Sequence, residues 1–89
     1  MTEMRYLDDE WAGRNISRKD IDAVLRSFVF DDMGPSNRGN DRLMFVGFDS
    51  SGRLLEAGVE YIDNEDVELV FHANDATSQY KNLYTRSRQ

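Results

Sequence analysis

The sequence predicts an α+β fold with an N-terminal helix, a three-stranded antiparallel β-meander and a short C-terminal helix. Three observations carry this prediction. Apolar residues recur at helical spacing after Ser17, three runs of β-forming residues follow with short turn-rich connections, and a second helical stripe closes the chain. With 89 residues, the chain reads as a single domain over 1–89. A domain of this size buries only ~60% of the surface its unfolded chain exposes, so its core is thin.

Residues 1–15 read as a polar lead-in with Tyr6, Leu7 and Trp11 as apolar anchors. Gly13-Arg14-Asn15 then breaks any earlier helix. The first helix is placed over 16–30. Ser17 is an N-cap, and Asp20 three residues later supplies a short-armed capping box. Ile16 and Ile21 are spaced to staple the helix entry. Ile21, Val24, Leu25 and Phe28 form one apolar stripe, opposite Lys19, Asp22 and Arg26. Residues 31–41 read as a loop, rich in Asp, Gly, Asn and Ser and holding Pro35.

The meander occupies 42–72, with strands over Leu43–Phe48, Arg53–Ile62 and Val67–His72. A four-residue loop, Asp49-Ser50-Ser51-Gly52, sets Phe48 opposite Arg53, Val46 opposite Leu55 and Met44 opposite Ala57. Across the second turn, Ile62 faces Val67, which carries His72 opposite Ala57. In this register Arg53 and His72 share a face with Met44, Val46 and Leu55, whereas Glu56 and Glu60 share the other with Leu43 and Phe45. A bulge at Gly58 would exchange part of that assignment. Both faces are apolar enough to need a cover: one helix each, the Trp11 segment, or a second molecule. The last helix is placed over 75–85, capped by Asp75 or Asn74, with Ala76, Tyr80, Leu83 and Tyr84 on one face. Arg86 and Arg88 follow, where cations suit a helix C-terminus.

Composition removes several function classes. Cysteine is absent, which excludes disulfides, thiolate metal sites and thiol catalysis. The longest apolar runs, such as Leu43-Met44-Phe45-Val46, are four residues, against the ~20 that a membrane span needs. Glu3, Asp8, Asp9 and Glu10 occupy the region where a signal peptide is basic and then apolar, so a cytoplasmic protein with no membrane partner is expected. The net charge of −6 opposes a large nucleic-acid footprint and suits a basic partner or simple solubility.

The candidate chemistry is sparse. His72, the sole histidine, is either a general acid/base or a strand-end side chain with no catalytic task. Arg53 either grips a phosphate or lies in solvent at a hairpin edge. The ideal register separates the two by ~13 Å, too far for a direct dyad but suited to flanking an extended substrate. Glu56 and Glu60 are also ~13 Å apart along one strand, too wide for a glycosidase pair, and read as a solvated stripe. Asp31-Asp32 and Glu65-Asp66-Glu68 do not match a calcium loop, and Gly34, Gly39 and Gly52 are isolated turn glycines. No metal and no cofactor are expected.

The segment from Arg42 through Gly52-Arg53-Leu54-Leu55-Glu56 to Ala73-Asn74-Asp75-Ala76-Thr77 and Leu83-Tyr84 resembles the BrnT-type toxins of type II toxin–antitoxin systems, which share a compact RelE-like ribonuclease fold. Ile16-Ser17 ahead of Ile21, Val24 and Leu25 resembles that family's first helix. The resemblance spans roughly three quarters of the chain and rests on short motifs, so carrying function across it is analogy. It implies a metal-free endoribonuclease neutralised by a cognate antitoxin, with attack by the ribose 2′-hydroxyl on the adjacent phosphate. It assigns phosphate binding to Arg53, proton exchange to His72 and assistance to Lys81 and Tyr84. Asn74 and Asp75 stand where the family has a basic pair, and Ser78 and Gln79 where it has further basic residues. The alternative is therefore a non-catalytic interaction module, a degenerate toxin or regulator on the same fold, working through an apolar face or as a homodimer.

Overall fold

The computed structural model describes residues 3–7, 15–26, 28–62 and 65–87. Trp11, Gly13, Arg14, Asp63, Asn64 and Arg88 lie outside the described residues. In chain order the elements are β1 (Glu3–Tyr6), α1 (Arg18–Arg26), β2 (Phe28–Asp32), β3 (Arg42–Phe48), β4 (Leu54–Ile62), β5 (Val67–Asp75) and α2 (Ser78–Ser87). The strands form one five-stranded sheet in the order β1-β5-β4-β3-β2. β1 runs parallel to β5, and every other pair is antiparallel.

This corrects the expected three-stranded meander with an N-terminal helix. A strand precedes the first helix. Met4 and Tyr6 point towards the core while Glu3 and Arg5 are exposed, the two-residue period of a half-buried strand. Leu7 N–H donates to Val70 O at 2.9 Å, continuing the ladder by one residue. The first helix also ends four residues early. Phe28-Val29-Phe30 are β-formers, and pairing with β3 sets Phe28 opposite Gly47 and Val29 opposite Val46. A run that satisfies both helical and strand spacing is settled by the partner it finds.

The start of α1 forms as the sequence indicates. Ser17 Oγ accepts Asp20 N–H at 3.2 Å, and Asp20 Oδ2 accepts Ser17 N–H at 2.9 Å. Ile16 and Ile21 are both buried in one cluster with Val24, Leu55, Ala57, Val59, Val70 and Ala73. Burial of each aliphatic side chain is worth ~1.5–3 kcal/mol. Asp22 turns inward instead of facing solvent: its Oδ1 accepts the Tyr6 hydroxyl at 2.8 Å, while the Arg18 guanidinium sits 4.6 Å from the Tyr6 ring centroid.

Two one-residue shifts redraw the faces. The first hairpin loop holds three residues, Ser50, Ser51 and Gly52. Asp49 and Arg53 pair across it, with Asp49 N–H donating to Arg53 O at 3.0 Å. Gly52 sits at φ +88°, the left-handed position that this loop requires. β3 consequently slides by one residue against β4: Phe48 faces Leu54, Val46 faces Glu56 and Met44 faces Gly58. A one-residue slip moves every side chain to the other face. The second shift is a bulge between Gly58 and Val59, beyond which Gly58 faces His72 and Glu56 faces Asn74. The Phe71 ring occupies the space over Gly58, where a Cβ would come within 2.7 Å of it.

Each helix covers one face. α1 packs on β3 and β4, and α2 on β3 and β2. β5 runs on to Asp75, so α2 starts at Ser78 instead of 75. Neither Asn74 nor Asp75 caps the helix, because both belong to the strand. Thr77 precedes it, and Thr77 O accepts Lys81 N–H at 2.8 Å. Ala76 is buried, whereas Tyr80, Leu83 and Tyr84 are half-buried.

Candidate functional site

β4 is the middle strand of the five-stranded sheet, and its residues from Leu55 to Glu60 are buried. Two of them are carboxylates. A buried charge must be paired or hydrogen-bonded, and both are. Glu60 Oε2 accepts Arg38 Nη2 and Asn40 Nδ2, each at 2.9 Å. These bonds fold the 33–41 loop back onto the sheet, where Tyr61 N–H also donates to Asp41 O at 2.8 Å. Glu56 Oε2 lies 2.9 Å from His72 Nε2, and Glu56 Oε1 accepts Thr77 N–H at 2.7 Å. The expected solvated stripe is therefore two separate buried anchors.

The bulge is what brings His72 to Glu56. Without it, His72 would oppose Ala57 on the α1 face. With it, the imidazole reaches the α2 face, an effect that strand bulges commonly have beside functional sites. The His72 side chain is 34% exposed and the Glu56 side chain 5%. One ring nitrogen is thus held by a buried carboxylate. Among the described residues, Nδ1 makes no hydrogen bond. Tyr80 lies on the same side of the sheet. Burial pushes its phenol upward in pKa, and the negative charges of Asp31 and Glu56 push it further.

The other expected site residues are dispersed. Arg53 belongs to the opposite face. Its Nη2 donates to Asn15 O at 2.7 Å, and its Nε donates to Asp49 Oδ2 at 3.2 Å. Asp20 Oδ2 is 3.7 Å from Nη2, and Asp75 Oδ1 is 3.9 Å from Nε. Three carboxylates and a carbonyl thus surround one guanidinium, which clamps the start of α1 to the β3–β4 hairpin. The open cleft beside it, of about 660 Å³, is lined by Asn15, Ser17, Asp20, Asp49, Ser51 and Arg53, among others. Lys81 is exposed on α2. The Tyr84 ring meets Phe48 edge-on, with centroids 5.3 Å apart.

Asp49 completes the hairpin. Burial disfavours its charged form, but four hydrogen bonds, from Arg53 N–H, the Ser51 hydroxyl, Ser51 N–H and the Arg53 guanidinium, outweigh burial and hold its pKa below the usual carboxylate range.

Sequence reasoning missed Glu56 as a partner of His72, and Tyr80 as a group that feels the charge of Glu56. The signal was present: a carboxylate inside Leu54-Leu55-Glu56-Ala57-Gly58-Val59 has no solvent face if the strand is central. Among the described residues no group of three or more His, Asp or Glu side chains is placed to hold a metal ion. None of the described helices is long and apolar enough to cross a membrane. Comparison with family models, curated proteins and solved structures gives no match.

Proposed function

We propose that the chain is the toxin-like member of a toxin–antitoxin pair, a metal-free endoribonuclease silenced by a cognate antitoxin. The supporting observation is the His72–Glu56 pair: a half-exposed imidazole with one nitrogen on a buried carboxylate has the arrangement of a general acid/base. Such a group would take the proton of a ribose 2′-hydroxyl and return one to the leaving oxygen. Lys81 and Arg86 are cations exposed on α2, the helix over the same face.

The test is RNA cleavage by purified protein with a chelator present, together with growth of a bacterial host expressing the chain alone. The expected result is chelator-resistant cleavage and growth arrest. His72→Ala abolishes both, with a rate loss of about 10²–10⁴-fold.

A second reading is a protein-interaction module without catalysis. It is favoured by the ion pairing of Arg53 with three carboxylates, which occupies the expected phosphate ligand, and by the net charge of −6. Normal growth with abundant folded protein, and intact RNA, would select it.

A further inference from the structure

Glu56 is the point where the sheet, the histidine and the second helix meet. Its two oxygens do different work. Oε1 takes the backbone N–H of Thr77 at 2.7 Å, just ahead of α2, and Oε2 takes His72 Nε2 at 2.9 Å. A backbone N–H can only donate, so the Thr77 bond orients the carboxylate and fixes which oxygen faces the ring. A carboxylate oxygen can only accept, so the neutral imidazole must carry its proton on Nε2 and turn an unprotonated Nδ1 outward. At 4% exposure, Glu56 has no water-facing alternative for these bonds.

We infer that Glu56 is the positioning residue of the site: held by Thr77 N–H, it sets the His72 tautomer so that Nδ1 is the nitrogen offered to substrate. This rests on the reading of His72 as the proton-moving group. It explains why a charged residue occupies the centre of the sheet, and why the Gly58 bulge and the start of α2 converge on the same side chain.

Glu56→Gln separates this role from simple packing, because the two side chains have the same shape. The amide oxygen must still face Thr77 N–H, since turning the NH2 there would oppose two donors. The NH2 then faces His72 and needs an acceptor, so Nε2 loses its proton and Nδ1 gains it. The outward nitrogen changes from acceptor to donor.

With one histidine in the chain, nitrogen-15 NMR of the imidazole reads this without assignment ambiguity. The wild-type ring, when neutral, is expected to be protonated at Nε2, and the Glu56→Gln ring at Nδ1. Thermal unfolding establishes that the variant is folded. RNA cleavage at equal folded protein is expected to fall about 10²–10⁴-fold, as for other enzymes whose histidine is held in the wrong tautomer.

A neutral wild-type ring protonated at Nδ1 would overturn the inference, and that measurement requires no variant. An unchanged tautomer in folded Glu56→Gln would overturn it as well. A tautomer exchange in Glu56→Gln, with wild-type protein that itself leaves RNA intact, would overturn the ribonuclease reading, while control of the ring by Glu56 would stand.

Discussion

The two faces of the sheet are built on opposite principles. Against α1 lie Leu55, Ala57, Val59, Val70 and Ala73, closed by Ile16, Ile21 and Val24, each no more than 2% exposed. Against α2 lie Met44 and Val46, but also Glu56, His72 and Asp31, and α2 contributes no buried residue of its own. The first face is held chiefly by aliphatic burial. The second is joined by hydrogen bonds to carboxylates and by the Phe48–Tyr84 edge contact. In a thin domain this division matters: one face supplies most of the stability, which leaves the other free to carry polar groups that a core would otherwise exclude.

The sharpest break of this comparison is a truncation on the α1 face. Leu55→Ala is expected to cost about 2–5 kcal/mol, read by urea unfolding, because it leaves a cavity in a cluster with no polar alternative. A loss below 1 kcal/mol would mean that the α1 face is not the main source of stability.

Gly58→Ala comes next and probes the link between the faces. Its Cβ would meet the Phe71 ring at 2.7 Å, so the ring must move, at about 1–3 kcal/mol. The His72 imidazole signals should shift with it. A stable variant with unmoved His72 signals would show that the bulge does not depend on the Phe71 ring lying over Gly58.

Asp49→Ala tests the hairpin clamp and is expected to lower stability by about 1–3 kcal/mol at neutral pH through the stranded donors. The sign of the pH dependence follows from the depressed pKa. The contribution is fully present above the unfolded value, ~3.9, and is lost as pH falls through the lower folded value. Wild type and variant should therefore converge in acid. Parallel curves would remove Asp49 as the source.

The smallest effect is on the α2 face. Tyr84→Ala, which removes the edge contact with Phe48, is expected to cost about 0.5–1.5 kcal/mol. A loss matching that of Leu55→Ala would erase the distinction between the faces.

Much of this architecture was legible locally. The Ser17–Asp20 box, the Ile16–Ile21 staple and the Ile62–Val67 pairing are relations among near neighbours, and each forms as the residues indicate. β1 was not legible, because four residues carry a weak period and its partner is more than sixty positions away. β2 was hidden by Phe28, which satisfies helix and strand spacing alike. The candidate site was half legible. His72 stood out as the lone histidine, but its partner depended on a bulge that moves it across the sheet.

The sequence by itself determined what short-range chemistry controls at particular places: the Ser17 cap of α1, the Ile16–Ile21 staple, the Ile62–Val67 turn pairing, and the absence of thiols and long apolar runs. Only the tertiary structure decided which face each strand residue occupies. In a sheet that choice has a period of two, so a single extra or missing residue inverts it. The three-residue loop at Gly52 and the bulge at Gly58 are two such events. The bulge parts Arg53 from His72 and joins His72 to Glu56, while the loop sets which β3 residues share their faces.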